Sequence, residues 1–283
     1  MNDYKSKFNH IHQVSSEYLN AFYQNYSPVF VLNTGRSGSA FMKIVFEKFE
    51  TIGAHHEASP NLFMLSNFAY HNQSENETLK KVFEAARIEL LLNSSIQNKI
   101  YLESNQCLVF YVNQIKQLFP KAKFIHLTRH PGDFVRSAIM KGWHKNDSVW
   151  EKGRIQSRDT DKWNSYSHIE KLSWVWKETH GFIEKFKLAN NQNFITVKLE
   201  ELVSDNEEFE KVLNFIGVKN NLSKNKIDEL FNSKINKVSI SKNEPKNMFK
   251  LSSYPKYEAW SLFDKQQLKA IVVELSEKYK YNL

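Results

Sequence analysis

A short apolar segment that runs into a Gly/Ser-rich turn is the feature of this sequence that most restricts its fold. Residues 28–33 read Pro-Val-Phe-Val-Leu-Asn, and such a nearly unbroken apolar run is typical of a strand buried inside a parallel sheet. The turn at 34–39 reads Thr-Gly-Arg-Ser-Gly-Ser, and residues 40–49 then carry apolar side chains at helical spacing. The segment therefore predicts a strand, a tight turn and a helix, an arrangement that presents a helix N-terminus to an anion.

The alternation of strands and helices continues along the chain. Short apolar runs predict strands at 51–54, 99–103, 123–128 and 194–198. Helical spacing predicts helices at 75–92, 108–119, 131–140 and 168–188, with mostly helices beyond 198. This order predicts an α/β fold with a parallel sheet flanked by helices, whose ligands bind at the carboxyl ends of the strands. We find no internal repeat and no linker, so residues 1–283 are expected to form one domain, with 142–167 as an irregular insertion.

The composition restricts the compartment and the partners. The chain carries 39 Lys and Arg against 31 Asp and Glu, a formal net charge of +8 that suits an anionic ligand. Its single cysteine, Cys107, excludes an intrachain disulfide and fits a reducing compartment. We expect no signal peptide and no transmembrane segment, because the N-terminus is polar and no apolar run approaches a membrane span of roughly 20 residues. We therefore predict a cytoplasmic protein, and we expect no nucleic-acid partner because the basic residues form no long cluster.

The turn after the first strand is a candidate anion site. Gly35 and Gly38 allow the backbone to wrap closely around an anion, and Ser37 and Ser39 add hydroxyl donors. Arg36 adds a planar guanidinium that is always charged. The turn is not a Walker A sequence, because no Lys follows its second glycine. An ordinary Gly-rich turn capped by serine remains the alternative.

A second candidate anion site follows the strand predicted at 123–128. Arg129 stands where this strand ends, and Ser137 follows eight residues later, two turns into the next helix. An Arg at a strand end and a Ser on the following helix can converge on one anion. The alternative is a surface Arg paired with Asp133. Two anion sites on neighbouring strands indicate a ligand with two separated phosphate-like groups.

These segments resemble the sulfotransferases that use 3′-phosphoadenosine-5′-phosphosulfate (PAPS). The turn at 34–39 is similar to the family's 5′-phosphosulfate loop. Residues 124–133 with Ser137 are similar to its 3′-phosphate site, including the spacing of eight between Arg129 and Ser137. The similarity extends through 194–217. Arg36 places the chain with the Arg-type members, which include tyrosylprotein sulfotransferases and many bacterial members, since many cytosolic members have Lys at that position.

The resemblance implies a P-loop-like parallel sheet and the transfer of a sulfonate from PAPS to a hydroxyl group, which leaves adenosine 3′,5′-bisphosphate. It assigns the 3′-phosphate to Arg129 and Ser137. It assigns the 5′-phosphosulfate to Gly35, Arg36, Ser37, Gly38, Ser39 and Ala40. No metal is required in this scheme, because Arg36 supplies the positive charge.

In Arg-type members the general base is a Glu just after the second strand, and this position falls in His55-His56-Glu57. The resemblance therefore implies Glu57 as the base, with His56 and His55 as competitors, while Arg36 stabilises charge on the leaving group. Adjacent histidines on an extended segment point to opposite faces, so a metal site is not expected. Glu103 ends another predicted strand near the same edge. Two interpretations are open: Glu103 binds the acceptor, or it is an exposed residue at the end of a strand.

The insertion and the C-terminal region contribute less specific candidates. The insertion contains aromatic residues among polar ones, namely Trp143, Trp150, Trp163 and Tyr166. Such residues suit a polyhydroxylated acceptor or a lid, and the alternative is that they pack on the core. Candidates to close over the 3′-phosphate are Lys242, Lys246 and Lys250. The acceptor is expected to be a small molecule or a glycan, and a lipid hydroxyl stays open as well.

Two other functions stay open for the same pattern. A nucleotide-dependent kinase of the P-loop type would need a Walker Lys and a strand-terminal Asp for Mg²⁺, whereas the strand at 123–128 is followed by Arg129. A non-catalytic nucleotide-binding module would keep both anion sites without a base. Substitution of Glu57 distinguishes that module from an enzyme.

Overall fold

A computed structural model describes residues 14–145, 149–232 and 253–283 of the chain. Its centre is a five-stranded sheet in the order β2-β3-β1-β4-β5, in which all neighbours are parallel. The strands are β1 (Val29–Leu32), β2 (Ile52–His56), β3 (Ile100–Ser104), β4 (Lys123–Thr128) and β5 (Phe194–Lys198). The α/β fold with a parallel sheet flanked by helices is therefore confirmed.

Thirteen α-helices surround the sheet in the described part of the chain. They are α1 (Ser16–Asn25), α2 (Ser39–Phe46), α3 (Ser66–His71), α4 (Asn76–Ile96), α5 (Val112–Leu118), α6 (Pro131–Met140), α7 (Val149–Gly153), α8 (Thr160–Ser165), α9 (His168–Ala189), α10 (Leu199–Leu202), α11 (Asn206–Ile216), α12 (Lys224–Asn232) and α13 (Leu262–Lys278). Short 3₁₀ turns at 63–65, 106–111, 191–193 and 257–259 complete the described elements.

The central strand β1 separates two apolar layers. Phe30 and Leu32 point into a core shared with α4, α5, α9 and α13, whereas Val29 and Val31 point into a core shared with α2 and α11. All four residues are buried, which explains why the strand has no polar face. The strand order reverses beside β1, and in open α/β sheets ligands bind next to such a reversal, here at the carboxyl ends of β1 and β4.

The predicted boundaries are confirmed for β4, β5 and α6, which begin and end at the expected residues. The prediction for β2 was too short, since the strand continues through His55 and His56 in register with Glu103 and Ser104. These polar residues carry no apolar signal, and backbone pairing to β3 extends the strand over them. The helix expected at 108–119 is divided into the 3₁₀ turn at 106–111 and α5.

A buried polar network joins β4 to α9 and α13. The His126 and His180 rings share a hydrogen bond of 2.7 Å, and Nδ1 of His126 lies 3.6 Å from the Glu184 carboxylate. The Tyr279 hydroxyl donates to the same carboxylate at 2.9 Å. Burial lowers the pKa of both imidazoles, although the Glu184 carboxylate opposes this effect. Both rings are therefore neutral in the folded protein near pH 7.

We expect the protein to lose stability as the pH falls below about 6.5, the ordinary pKa of histidine. Below that pH the histidines of the unfolded chain bind protons, whereas the buried His126 and His180 rings of the folded protein stay neutral because burial lowers their pKa. At pH 5.5 the loss amounts to at most about 1.4 kcal/mol per histidine. Urea unfolding at pH 7.5 and 5.5 measures it, and His180→Gln is expected to reduce the pH dependence. Equal pH dependence in the variant and the wild type would contradict this account.

Candidate active site

The turn between β1 and α2 is held in shape by its own side chains. The Asn33 carboxamide accepts from the Gly35 amide at 2.7 Å and contacts the Ser104 hydroxyl on β3 at 3.4 Å. The Thr34 and Ser37 hydroxyls lie 2.7 Å apart, and Ser37 also donates to the Gly35 carbonyl. These bonds are buried, so the turn's own side chains support its shape.

Left-handed backbone at three positions curls the turn around the N-terminus of α2. The φ angles are +73° at Gly35, +50° at Arg36 and +85° at Gly38. A Cβ atom on Gly35 would lie 2.4 Å from Oε1 of Gln106, and one on Gly38 would lie 2.5 Å from Cδ1 of Leu199. Both positions therefore favour glycine because of their positive φ angles, and a larger residue would also force the Gln106 or Leu199 side chain to move.

The two predicted anion sites meet in space. Arg36 donates from Nε to the Ser137 hydroxyl at 3.0 Å, and Arg129 donates from Nη1 to the Arg36 carbonyl at 2.6 Å. The Arg129 carbonyl accepts from the Trp176 indole at 3.1 Å, which anchors the end of β4 to α9. The loops after β1 and β4 thus form one cationic surface at the carboxyl edge of the sheet.

The end of β2 brings two further candidates to this edge. His56 shares a 2.9 Å hydrogen bond with the Ser39 hydroxyl in the first turn of α2. Glu57 is exposed, and its carboxylate accepts from Nε2 of Gln106 at 3.3 Å. Its backbone amide donates to the Ser104 carbonyl at 3.2 Å. His56 and Glu57 therefore lie between the turn that follows β1 and the end of β3.

The His55 side chain lies on the other face of β2, as the alternation of a strand requires. Its ring stacks on that of Tyr101 with centroids 4.7 Å apart, and burial lowers the pKa of the imidazole. This orientation separates His55 from His56, which contacts the turn. Of the two histidines, only His56 has a contact with the predicted anion site.

Both sequence interpretations of Glu103 were wrong. Its side chain is fully buried and forms a bidentate ion pair with Arg87, with N–O distances of 2.7 and 2.9 Å. The Tyr101 hydroxyl and the Asn105 carboxamide donate to the same carboxylate at 2.6 and 2.9 Å. With its acceptor positions occupied, Glu103 is neither a surface strand end nor an acceptor ligand.

A small cavity of about 30 Å³ lies between the turn after β1 and the insertion. Thr34, Gln106, Phe63 and Trp143 are among the residues that line it, and Arg154 extends over the Trp143 ring at 3.7 Å from the centroid. Trp143 is only 5% exposed, so it packs inward instead of presenting a free aromatic face. The insertion thus forms one wall of the space beside the candidate site.

Comparison with known proteins settles the family. A sequence profile described as the sulfotransferase family matches residues 28–221, more than half of the chain. The chain belongs to the sulfotransferase family. Membership assigns this sulfotransferase to the enzymes that transfer sulfonate groups, and it confirms the family resemblance drawn from the two anion-site segments.

Solved structures show the same fold at low sequence identity. The sulfotransferase domain from the curacin biosynthetic pathway is similar with a TM-score of 0.52 and 15% identity over 92% of this chain and 99% of that one. Sulfotransferase STF9 from Mycobacterium avium is similar with a TM-score of 0.50 and 10% identity over 100% of this chain and 82% of that one. Among curated proteins, no sequence matches significantly.

Some predicted features of the sulfotransferase are not described by the structure. Lys242, Lys246 and Lys250 lie outside the described residues, and so does the Trp150 side chain. Within the described ranges, no group of three or more His, Cys, Asp or Glu side chains is placed to hold a metal ion. No helix of those ranges is both long and apolar enough to span a membrane.

Sequence reasoning missed three side chains that shape the site. Gln106 contacts Glu57 and the turn after β1, Arg87 neutralises Glu103, and Trp176 anchors the Arg129 carbonyl. The signal for Gln106 was present, since it follows a predicted strand at the ligand-binding edge. Arg87 and Trp176 lie in helices of mixed composition, and no local pattern connects them to the site.

We expect Gly38→Ala to lower the free energy of unfolding by about 1–3 kcal/mol, because an L-residue is strained at φ +85° and its Cβ would displace Leu199. Urea unfolding measures this loss. Gly181→Ala is the matched control, since a Cβ there meets nothing within 4 Å. In the interior of α9 that change should stabilise by up to about 1 kcal/mol. Equal effects of the two substitutions would contradict the geometric requirement at Gly38.

Proposed function

We propose that this sulfotransferase transfers a sulfonate from PAPS to an acceptor hydroxyl and releases adenosine 3′,5′-bisphosphate. The observation that carries the proposal is the 3.0 Å hydrogen bond between Arg36 and Ser137, which joins the turn after β1 to the helix after β4. A nucleotide with anionic groups at both its 5′ and 3′ positions can contact both segments at once. A nucleoside phosphate without the 3′ group would contact only one.

The residues at the 5′ end fit a phosphosulfate. The amides at the N-terminus of α2 and the Ser39 hydroxyl are hydrogen-bond donors at the positive end of a helix. Gly35 and Gly38 leave room for close approach, and Arg36 supplies a full charge beside them. These donors would stabilise the negative charge that develops on the leaving phosphate.

Arg129 and Ser137 would hold the 3′-phosphate. Arg129 donates to the Arg36 carbonyl and Ser137 accepts from Nε of the same residue. Bound phosphate oxygens would replace these contacts with charge-assisted hydrogen bonds. The donor set is cationic and rich in hydroxyl and amide donors, as a nucleotide with two anionic ends requires.

Glu57 is the proposed general base. Gln106 donates to one of its carboxylate oxygens, which leaves the other oxygen to accept the acceptor's proton. His56 has its Nε2 bonded to Ser39, so it is better placed to support the 5′ end of the site than to remove a proton. Cys107 is no alternative nucleophile, because burial raises the pKa of its thiol to about 12.

The acceptor is proposed to be a small molecule or a glycan that enters beside the insertion. The contact of Trp143 with the cavity next to the turn supports the insertion at 142–167 as a wall or lid of the acceptor site. Trp163 is 8% exposed and packs against Trp174, which favours a wall whose aromatic residues face inward. The cytoplasmic location and the single domain stay predictions.

A kinase reaction receives less support from the same geometry. The turn after β1 carries no Lys, and Thr128 at the end of β4 is committed to a hydrogen bond of 3.0 Å with Tyr281. A Mg²⁺-dependent kinase needs a carboxylate at such a strand end. A non-catalytic nucleotide-binding module is the second candidate function, and a turnover measurement on the wild type distinguishes it from an enzyme.

We expect adenosine 3′,5′-bisphosphate to bind more tightly than AMP, ADP or ATP. Arg129→Ala should weaken bisphosphate binding by about 10–100-fold, which corresponds to one lost charge-assisted hydrogen bond. Isothermal titration calorimetry measures both effects. Arg158→Ala is the control, because that guanidinium donates to the His71 carbonyl at the surface. Preference for ATP, or no binding of the bisphosphate, would contradict the proposal.

We expect Glu57→Gln to lower the turnover number by about 10²–10⁴-fold, since the amide cannot accept the proton. Affinity for the bisphosphate should not change. Release of the bisphosphate from PAPS in an acceptor screen measures turnover, with the exposed Glu89→Gln as a control of the same chemistry. Full activity of the Glu57 variant would remove Glu57 from this role. Absence of turnover in the wild type would favour the non-catalytic module.

A further inference from the structure

The backbone at Glu57 is strained. Its φ angle is +46°, a left-handed conformation that costs a non-glycine residue about 1–2 kcal/mol. Such conformations persist where the surrounding structure holds them in place, and they concentrate at functional sites. The conformation at Glu57 therefore requires a source of restraint.

Three hydrogen bonds supply that restraint. The Glu57 amide donates to the Ser104 carbonyl at 3.2 Å, and the Ala58 amide donates to Oε1 of Glu103 at 3.1 Å. Nη1 of Arg87 donates to the Pro60 carbonyl at 2.7 Å. Two of the three bonds come from one ion pair, that between Arg87 and Glu103.

This ion pair lies in the interior. Both side chains are fully buried, and they exchange two hydrogen bonds of 2.7 and 2.9 Å. A buried ion pair is a weak source of stability, because taking both charges out of water offsets most of their attraction. Apolar replacements of similar volume are often equally stable. The contacts of this pair with the loop at 57–60 point to a role other than stability.

We propose that Arg87 and Glu103 are positioning residues that hold the loop at 57–60, and with it the general base. Neither residue reaches the acceptor. They act through the backbone of Ala58 and Pro60, which fixes where the Glu57 carboxylate emerges from the end of β2. The proposal rests on the proposed function, in which Glu57 removes the proton.

The same carboxylate also controls the second contact of the base. Asn105 donates to Oε1 of Glu103 at 2.9 Å and accepts from the Cys107 amide at 2.8 Å. These bonds begin the 3₁₀ turn at 106–111, whose first residue, Gln106, donates to the Glu57 carboxylate. The ion pair therefore orders both the backbone of Glu57 and the donor that orients its side chain.

The main test replaces the pair by apolar residues of similar volume, Arg87→Met together with Glu103→Leu. We expect a lower free energy of unfolding than in the wild type, because the Tyr101 hydroxyl, the Asn105 carboxamide and the Ala58 amide lose the acceptor that they share. The measurements are therefore made under conditions in which the variant is folded. Amide exchange in the peptide covering 55–62 should accelerate by about tenfold, because the hydrogen bonds from Ala58 and to Pro60 are lost. Turnover should fall by about 10–100-fold, as expected for a displaced catalytic group, while affinity for adenosine 3′,5′-bisphosphate stays unchanged.

Two further variants keep the test decisive. Arg87→Lys retains the charge but lacks the planar fork, so it cannot contact both Glu103 and the Pro60 carbonyl in the same way. It should show the same changes to a smaller degree, and it decides the question if the double variant does not fold. Tyr279→Phe, which removes a hydrogen bond from the buried Glu184, is a control for loss of stability without loss of turnover.

Two measurements separate this proposal from the proposed function. Unchanged exchange in the peptide covering 55–62, or faster exchange with unchanged turnover, would overturn the positioning role. A wild-type protein that neither binds the bisphosphate nor turns over would overturn the proposed function instead. The exchange measurement needs no substrate, so in that case it would still show whether the ion pair holds the loop.

Discussion

The parallel pairing of β1 with β3 on one side and β4 on the other is the constraint on which the site depends. All four residues of β1 are buried between two apolar layers, so the strand has a place only at the centre of the sheet. Parallel pairing then brings the carboxyl ends of β1, β3 and β4 to one edge. Because β2 pairs with β3 in the same direction, the loop that carries Glu57 reaches this edge as well.

At that edge, charge is distributed in an order that suits group transfer. Cationic donors cluster around the turn after β1, where Arg36 and Arg129 adjoin the N-terminus of α2. The exposed carboxylate of Glu57 stands on the other side, next to Gln106. Acidic Glu103 lies just beneath, yet Arg87 neutralises it, so it adds no negative charge where the proposed anionic donor would bind. The buried pairing of Glu103 with Arg87 thus leaves the cationic surface around Arg36 and Arg129 without an opposing charge from the end of β3.

The sequence predicted the elements whose signals are local. β4, β5 and α6 were placed at their observed boundaries, since Pro120 precedes β4, Pro131 begins α6, and a short apolar run marks β5. The end of β2 was missed because its last residues are polar and are held by pairing with β3. Glu103 was misassigned for a similar reason. A carboxylate at the end of a predicted strand is expected to be exposed, and no local pattern indicates its buried partner Arg87, which lies in a helix 16 residues earlier.

The sequence by itself determined the strand, turn and helix at the first candidate anion site, the glycines that the turn favours, and the spacing of Arg129 and Ser137. These are short-range properties, set by backbone conformation and by the repeat of a helix. Only the tertiary structure decided that Arg36 meets Ser137, 101 residues away, and that Gln106 meets Glu57, 49 residues away. Such contacts depend on which strands become neighbours, and burial of the whole sheet selects that order, which no local pattern records.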